Sequence, residues 1–200
     1  MTQQFSRAIQ FLHKRKGRLP RQTQEEFAKK SIRITDADVV HASDISNAGS
    51  VHPLLRSTNQ KVVGVSDFNE NTLDVGQNVA VDKIKLGYIM KAKDYVGSPA
   101  SVKYSSDYAS FPAELLNSKF LIKQDGKTLL SLPVERFTHA AKSTKVQGEE
   151  DTYHLDTPIL LIEKKIIEMV IEFNPDQAMD ESAGRHFFQV RLMGAQTMPK

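Results

Sequence analysis

The sequence contains no cysteine and no tryptophan. The first absence excludes disulfides, thiolate chemistry and Cys-ligated metals, while leaving the compartment open. No apolar run approaches the roughly 18 residues of a membrane-spanning helix. A secretory leader is not expected either, because Phe11-Leu12 runs straight into His13-Lys14-Arg15-Lys16. A protein made and kept in the cytoplasm, or in a particle assembled there, is expected. The phosphate-binding patterns Gly-x-x-x-x-Gly-Lys and Gly-x-Gly-x-x-Gly do not occur, and neither does the Gly-x-Ser-x-Gly elbow of a serine nucleophile. His13, His41, His52, His139, His154 and His186 are scattered, with no His-x-His and no His-Glu-x-x-His. Glu163, Glu168 and Glu172 alternate with apolar residues, which places them on the solvent face of strands more simply than in a glycosidase pair. No catalytic constellation emerges. The expectation is a protein that is not an enzyme, with no metal, no cofactor and no small-molecule substrate.

What is present is strand patterning, firmest near the C-terminus. His154-Leu155 leads through Pro158 into Ile159–Ile162, Glu163-Lys164-Lys165 makes a turn, and Ile166–Phe173 follows with Ile167, Met169, Ile171 and Phe173 on one face. In Phe187–Met193, residues Phe188, Val190 and Leu192 share a face opposite Gln189 and Arg191. Ile84, Leu86, Tyr88 and Met90 alternate with Lys83, Lys85, Gly87 and Ile89. Lys119–Lys123 and Thr128–Leu132 flank Gln124-Asp125-Gly126-Lys127, a strong hairpin signal. Val102–Tyr104 reads as a short strand, Phe111–Leu116 as a helical turn, Val134–Phe137 as a weak strand or helical turn, and Ala140–Asp151 as a polar loop. Strands with one greasy face each need a second sheet to cover them, so residues 77–200 are expected to form an antiparallel β-sandwich in an all-β fold.

The first third of the chain differs. Residues 1–33 hold nine basic and two acidic residues, a net +7, leaving 18 basic and 22 acidic residues, or −4, for the rest. Phe5, Ala8, Ile9 and Leu12 fall at helical spacing, and Lys14-Arg15-Lys16 sits at the helix C-terminus, where cations suit the dipole. Gly17 and Leu19-Pro20 break the helix, and Thr23-Gln24-Glu25-Glu26 fits a capping box with Thr23 as N-cap. Residues 34–76 are dense in Asp, Asn and Gly, with Lys61–Val65 the only clear strand, and read as an extended arm laid on the sandwich or on a neighbour. Asp36, Asp38 and Asp44 read as turn residues, since no EF-hand spacing follows. Residues 1–76 are thus expected to be a basic, partly helical N-terminal arm. Its candidate contacts to nucleic acid or membrane are Lys14, Arg15, Lys16, Arg18 and Arg21, beside the apolar helix face of Phe5, Ile9 and Leu12.

A basic helical arm, an extended segment and a sandwich closing with YHLDTPILLIEKKIIEMVIEF and FFQVRLMGAQT resemble the jelly-roll capsid proteins of tailless icosahedral viruses, including lipid-containing bacteriophages. The resemblance implies a single jelly roll and a self-assembling structural protein of the virion, as principal shell or vertex subunit, assembled in the host cytoplasm. Its partners would be copies of itself, other capsid proteins, and a packaged genome or internal membrane met by the arm. The alternative is a carbohydrate- or ligand-binding sandwich on a phage tail or surface appendage. The absence of Trp, with only Tyr95, Tyr104 and Tyr108 clustered in a loop, weighs against it.

Overall fold

The computed structural model describes residues 6–138 and 152–198. Phe5, His139 and the polar loop expected over Ala140–Asp151 lie outside the described residues. Eight strands form the body: β1 (Arg33–Asp44), β2 (Val51–Pro53), β3 (Val79–Lys91), β4 (Lys119–Gln124), β5 (Lys127–Pro133), β6 (Tyr153–Leu161), β7 (Ile167–Glu172) and β8 (Arg185–Met198). They make two four-stranded antiparallel sheets, ordered β1-β8-β3-β6 and β2-β7-β4-β5. Each early strand pairs with its mirror in chain order: β1 with β8, β2 with β7, β3 with β6, β4 with β5.

The faces that enclose the core follow from the strand period of two. Ile84 and Leu86 of β3 and Phe188, Val190 and Leu192 of β8 meet Phe120 and Ile122 of β4 and Ile167, Met169 and Ile171 of β7 in one buried cluster. Each such side chain contributes about 1.5–3 kcal/mol by leaving water. Two residues of the expected alternation depart from the core: Met90, near the end of β3, is 49% exposed, and Leu129 is half-buried because β5 is an edge strand. The β4–β5 turn places Asp125 and Gly126 at φ 49° and 73°, the geometry for which Asp-Gly is selected. At Gly194, where β8 crosses the irregular pairing of β3 near Val81, an added Cβ would lie 2.0 Å from the Ala80 carbonyl oxygen.

Two strands lie within the segment expected to be an arm. β1 pairs with β8 from Arg33 to Asp44, and β2 pairs with β7. In β1, Asp36 and Asp38 are outward positions of a strand and not turn residues, while Ala37, Val39 and His41 point inward and are buried. Asp38 accepts from Arg191 Nε of β8 at 3.1 Å, so a cross-strand ion pair replaces the expected turn. Lys61–Val65 is not a strand. Val62 and Val63 are exposed at a turn, and the chain just beyond it lies along the free edge of β1. There the Ala42 amide donates to Val65 O (2.7 Å) and the Asp67 amide to Val40 O (2.9 Å), with the Val40 amide donating to Asp67 Oδ2 (2.8 Å). That cover satisfies backbone groups which a bare edge would present to other chains. Val102–Tyr104 is likewise loop, tied to β3 through the Tyr88–Ser105 backbone pair, and Val134–Phe137 is a helical turn.

Ahead of the strands, α1 (Arg7–Arg15) and α2 (Arg21–Ala28) are joined by a short helical turn, Lys16–Arg18. Ser6 caps α1, accepting from the Ile9 amide. The expected capping box at Thr23 is absent: α2 begins at Arg21 with Pro20 as N-cap. Thr23 instead faces inward, 2% exposed, where its hydroxyl donates to Glu163 Oε1 at 3.4 Å. A third helix, α3 (Ala113–Leu116), lies in the β3–β4 connection.

Candidate functional site

The basic hinge is the first place where candidate site residues gather. Ala8 and Leu12, 1% and 0% exposed, pack with Ala80 of β3 and Ala195 of β8, flanked by Ile9, Phe11, Ile34 and Leu160. The small side chains of Ala80 and Ala195 leave room for α1 to lie close on the outer face of this sheet. Arg7 Nη1 adds a hydrogen bond to Leu155 O at 2.8 Å. Of the apolar face expected from the sequence, Leu12 is thus committed to the chain's own sheet and Ile9 is half-buried beside it. Lys14, Arg15, Lys16, Arg18 and Arg21 are all exposed, so the docked helix and hinge turn their charge to solvent. Arg21 forms an exposed i,i+4 pair with Glu25 (3.1 Å), and Arg15 lies 5.7 Å from the Phe11 ring centroid.

Beside the hinge runs a groove of about 420 Å³ between α1, β6 and the β4–β5 turn. Arg15 and Arg18 line it from the hinge, and Lys127 and Lys165 line it from the body. Lys165 is held by Asp125 at 2.6 Å. Sequence reasoning missed these two lysines, because only the fold brings residues 15 and 165 together. It also misplaced Glu163, which is buried and not on a solvent face. Its Oε2 accepts the Gly76 amide at 2.5 Å, and its own amide donates to Asn78 Oδ1 at 3.2 Å. Together with the Thr23 contact, this carboxylate ties α2 and the β2–β3 connection to the end of β6. Glu168 and Glu172 are half-exposed.

The second place is a cleft of about 710 Å³ between β1, β2 and the connections β2–β3 and β7–β8. His41 and His52, unremarkable in the sequence, both line it. His41 Nε2 is 3.0 Å from Leu54 O, which can only accept, so Nε2 carries the proton. Nδ1 then accepts from the Ser66 hydroxyl at 3.1 Å. Ser66 is 3% exposed and no carboxylate orients the imidazole, so this Ser–His contact clamps the β2–β3 connection onto β1. Burial pushes the His41 pKa down, against the opposing effect of the Leu54 carbonyl. Asp44 accepts from Arg185 Nε (3.1 Å) and from the Ser46 amide (2.9 Å). Burial alone would raise the Asp44 pKa, but the hydrogen bonds from Ser46 and Arg185 outweigh it and hold the carboxyl below its ordinary value. Burial and the nearby charge of Arg56 lower the pKa of His52, with Asp44 acting in the opposite sense.

Among the described residues no helix is long and apolar enough to cross a membrane, and no three His, Cys, Asp or Glu side chains cluster as metal ligands. No family model matches the chain, and no curated protein or solved structure is significantly similar to it.

Proposed function

We propose that the protein is a self-assembling structural subunit of an icosahedral viral shell, built on a single jelly roll. The observation that carries this reading is the pairing of β1 with β8, β2 with β7, β3 with β6 and β4 with β5, split between two four-stranded sheets. A long antiparallel hairpin rolled on itself produces that order, an architecture used by viral shells, lectins and cupins. Two further features favour the shell. The exposed basic hinge suits an inner surface, and Val63 and Val96, each 97% exposed on connecting loops, suit contacts that assembly would bury. On this reading the hinge meets the phosphates of a packaged genome. The bilayer alternative needs an apolar helix face free for lipid, and Ala8 and Leu12 are occupied by the sheet.

Purified protein should form pentamers, trimers or particles by light scattering and negative-stain microscopy. A monomer at every concentration would refute the shell. If Lys14, Arg15, Lys16, Arg18 and Arg21 each neutralise a phosphate, the plot of log affinity for duplex DNA against log salt should have a slope of about −4 to −5. Binding should be independent of sequence. Stronger binding to anionic liposomes than to DNA would replace the genome reading with the membrane one.

A further inference from the structure

Among the described residues three imidazoles are deeply buried, and two of them have both ring nitrogens engaged. His41 bonds Ser66 and Leu54 O, while His186 bonds the Tyr88 hydroxyl (2.6 Å) and Asp180 O (2.9 Å). His52 is the exception. It is 7% exposed, it lines the 710 Å³ cleft, and neither of its nitrogens has a hydrogen-bond partner among the described residues. On β2 its neighbours Val51 and Pro53 are exposed, so the strand alternation turns the imidazole inward from them. The Ser43 hydroxyl, on β1 in the same lining, is also buried without a partner. Leaving the Ser43 hydroxyl unbonded costs about 1–3 kcal/mol, while the His52 nitrogens, not sealed from the cleft, are the unbonded donor and acceptor that a ligand there would meet.

We propose that this cleft binds a monosaccharide-sized ligand carrying one carboxylate or phosphate group. The charge argues for the anion. Asp44 is neutralised by Arg185, whereas Arg56 and Lys93 form no ion pair among the described residues. Glu181 is the one other acid in the lining, and it leaves the cations in excess. The size and the remaining lining argue for the sugar. The cleft is far roomier than a bare oxyanion requires and falls within the usual range for small-ligand sites. Asn47, Thr58, Asn59 and Gln60 supply amides and hydroxyls suited to the hydroxyls of a sugar ring. Arg56 and Lys93 hold the anionic group, and His52 bonds the ring from the floor. The inference goes beyond the shell-subunit reading and does not depend on it, since a lectin-like sandwich would use the same cleft.

The full chain, isotopically labelled, would be titrated with glucuronate, glucose 6-phosphate, glucose and inorganic phosphate while the His52 ring signals are followed by NMR. Saturable shifts are expected with glucuronate, with glucose 6-phosphate, or with both, and the stronger of the two identifies the anionic group. Arg56→Ala and Lys93→Ala change exposed side chains, so the fold should survive, and each should weaken that binding about tenfold or more. Equal binding of glucose would overturn the anionic requirement, and equal binding of inorganic phosphate would overturn the sugar. No saturable shift with any probe, or unchanged affinity in both variants, would remove the site altogether.

Discussion

Leu12→Ala removes the fully buried leucine that α1 inserts against the outer face of the β1-β8-β3-β6 sheet. Its neighbours are Ala8, Ala80 and Ala195, with Ile9, Phe11, Ile34 and Leu160 at the margin. Truncating a buried Leu costs about 2–5 kcal/mol, and a satellite cluster on a sheet face can relax into part of the void, so the lower half of that range applies, about 2–3 kcal/mol. α1 has nine residues, too few to be stably helical alone in water, so its order depends on this docking. A loss of 2–3 kcal/mol shifts the docking equilibrium by roughly 30- to 150-fold at 1.4 kcal/mol per decade. The main core lies on the opposite face of the same sheet, and the loss of global stability is limited to the free energy of docking. Limited trypsinolysis reads the effect directly, because Lys14, Arg15, Lys16 and Arg18 are the cleavage sites at the end of this helix. Where local opening is fast relative to cleavage, the rate tracks the open population and should rise at least about tenfold. Hydrogen exchange of the α1 amides should accelerate in parallel, and Ile9→Ala, at a half-buried position, should do less. An unchanged cleavage rate together with unchanged exchange in α1 would refute the docking.

In the main core, Ile171→Ala truncates a fully buried side chain of β7 and should cost about 2–5 kcal/mol in denaturant unfolding; an unchanged midpoint would refute its placement between the sheets. His41 is held below its ordinary pKa of 6.5 by burial, so the unfolded chain binds more protons as pH falls. Its contribution to stability is therefore fully present above pH 6.5 and is lost as pH falls from there toward the lowered value in the folded protein. His52 shifts in the same direction, so Tm should fall as the pH drops below about 6.5, and His41→Gln should flatten that dependence in part. Equal slopes in the two proteins would exclude His41 as a contributor.

The sequence by itself determined the strands whose two faces differ strongly in polarity. The alternation in β3, β4, β7 and β8 names the inner residues because a period of two leaves no other way to bury Ile167, Met169 and Ile171 on one side. Asp125-Gly126 specified its hairpin because both residues must adopt positive φ. The stripe and terminal charge of α1 were equally plain, although the sheet beneath it was not. Tertiary structure decided the rest. β1 inserts Ala37, Val39 and His41 and turns Asp36 and Asp38 outward, a contrast too weak to stand out from turn chemistry until Arg191 of the neighbouring strand supplies a partner. β2 has three residues, too few to show any period, and exists because β7 offers it an edge. The cleft was out of reach for the same reason. His41, His52, Arg56, Lys93 and Arg185 lie on separate elements in no recognisable spacing, and only the closure of β1 against β8, with β2 against β7, sets their charges and unbonded nitrogens around one cavity.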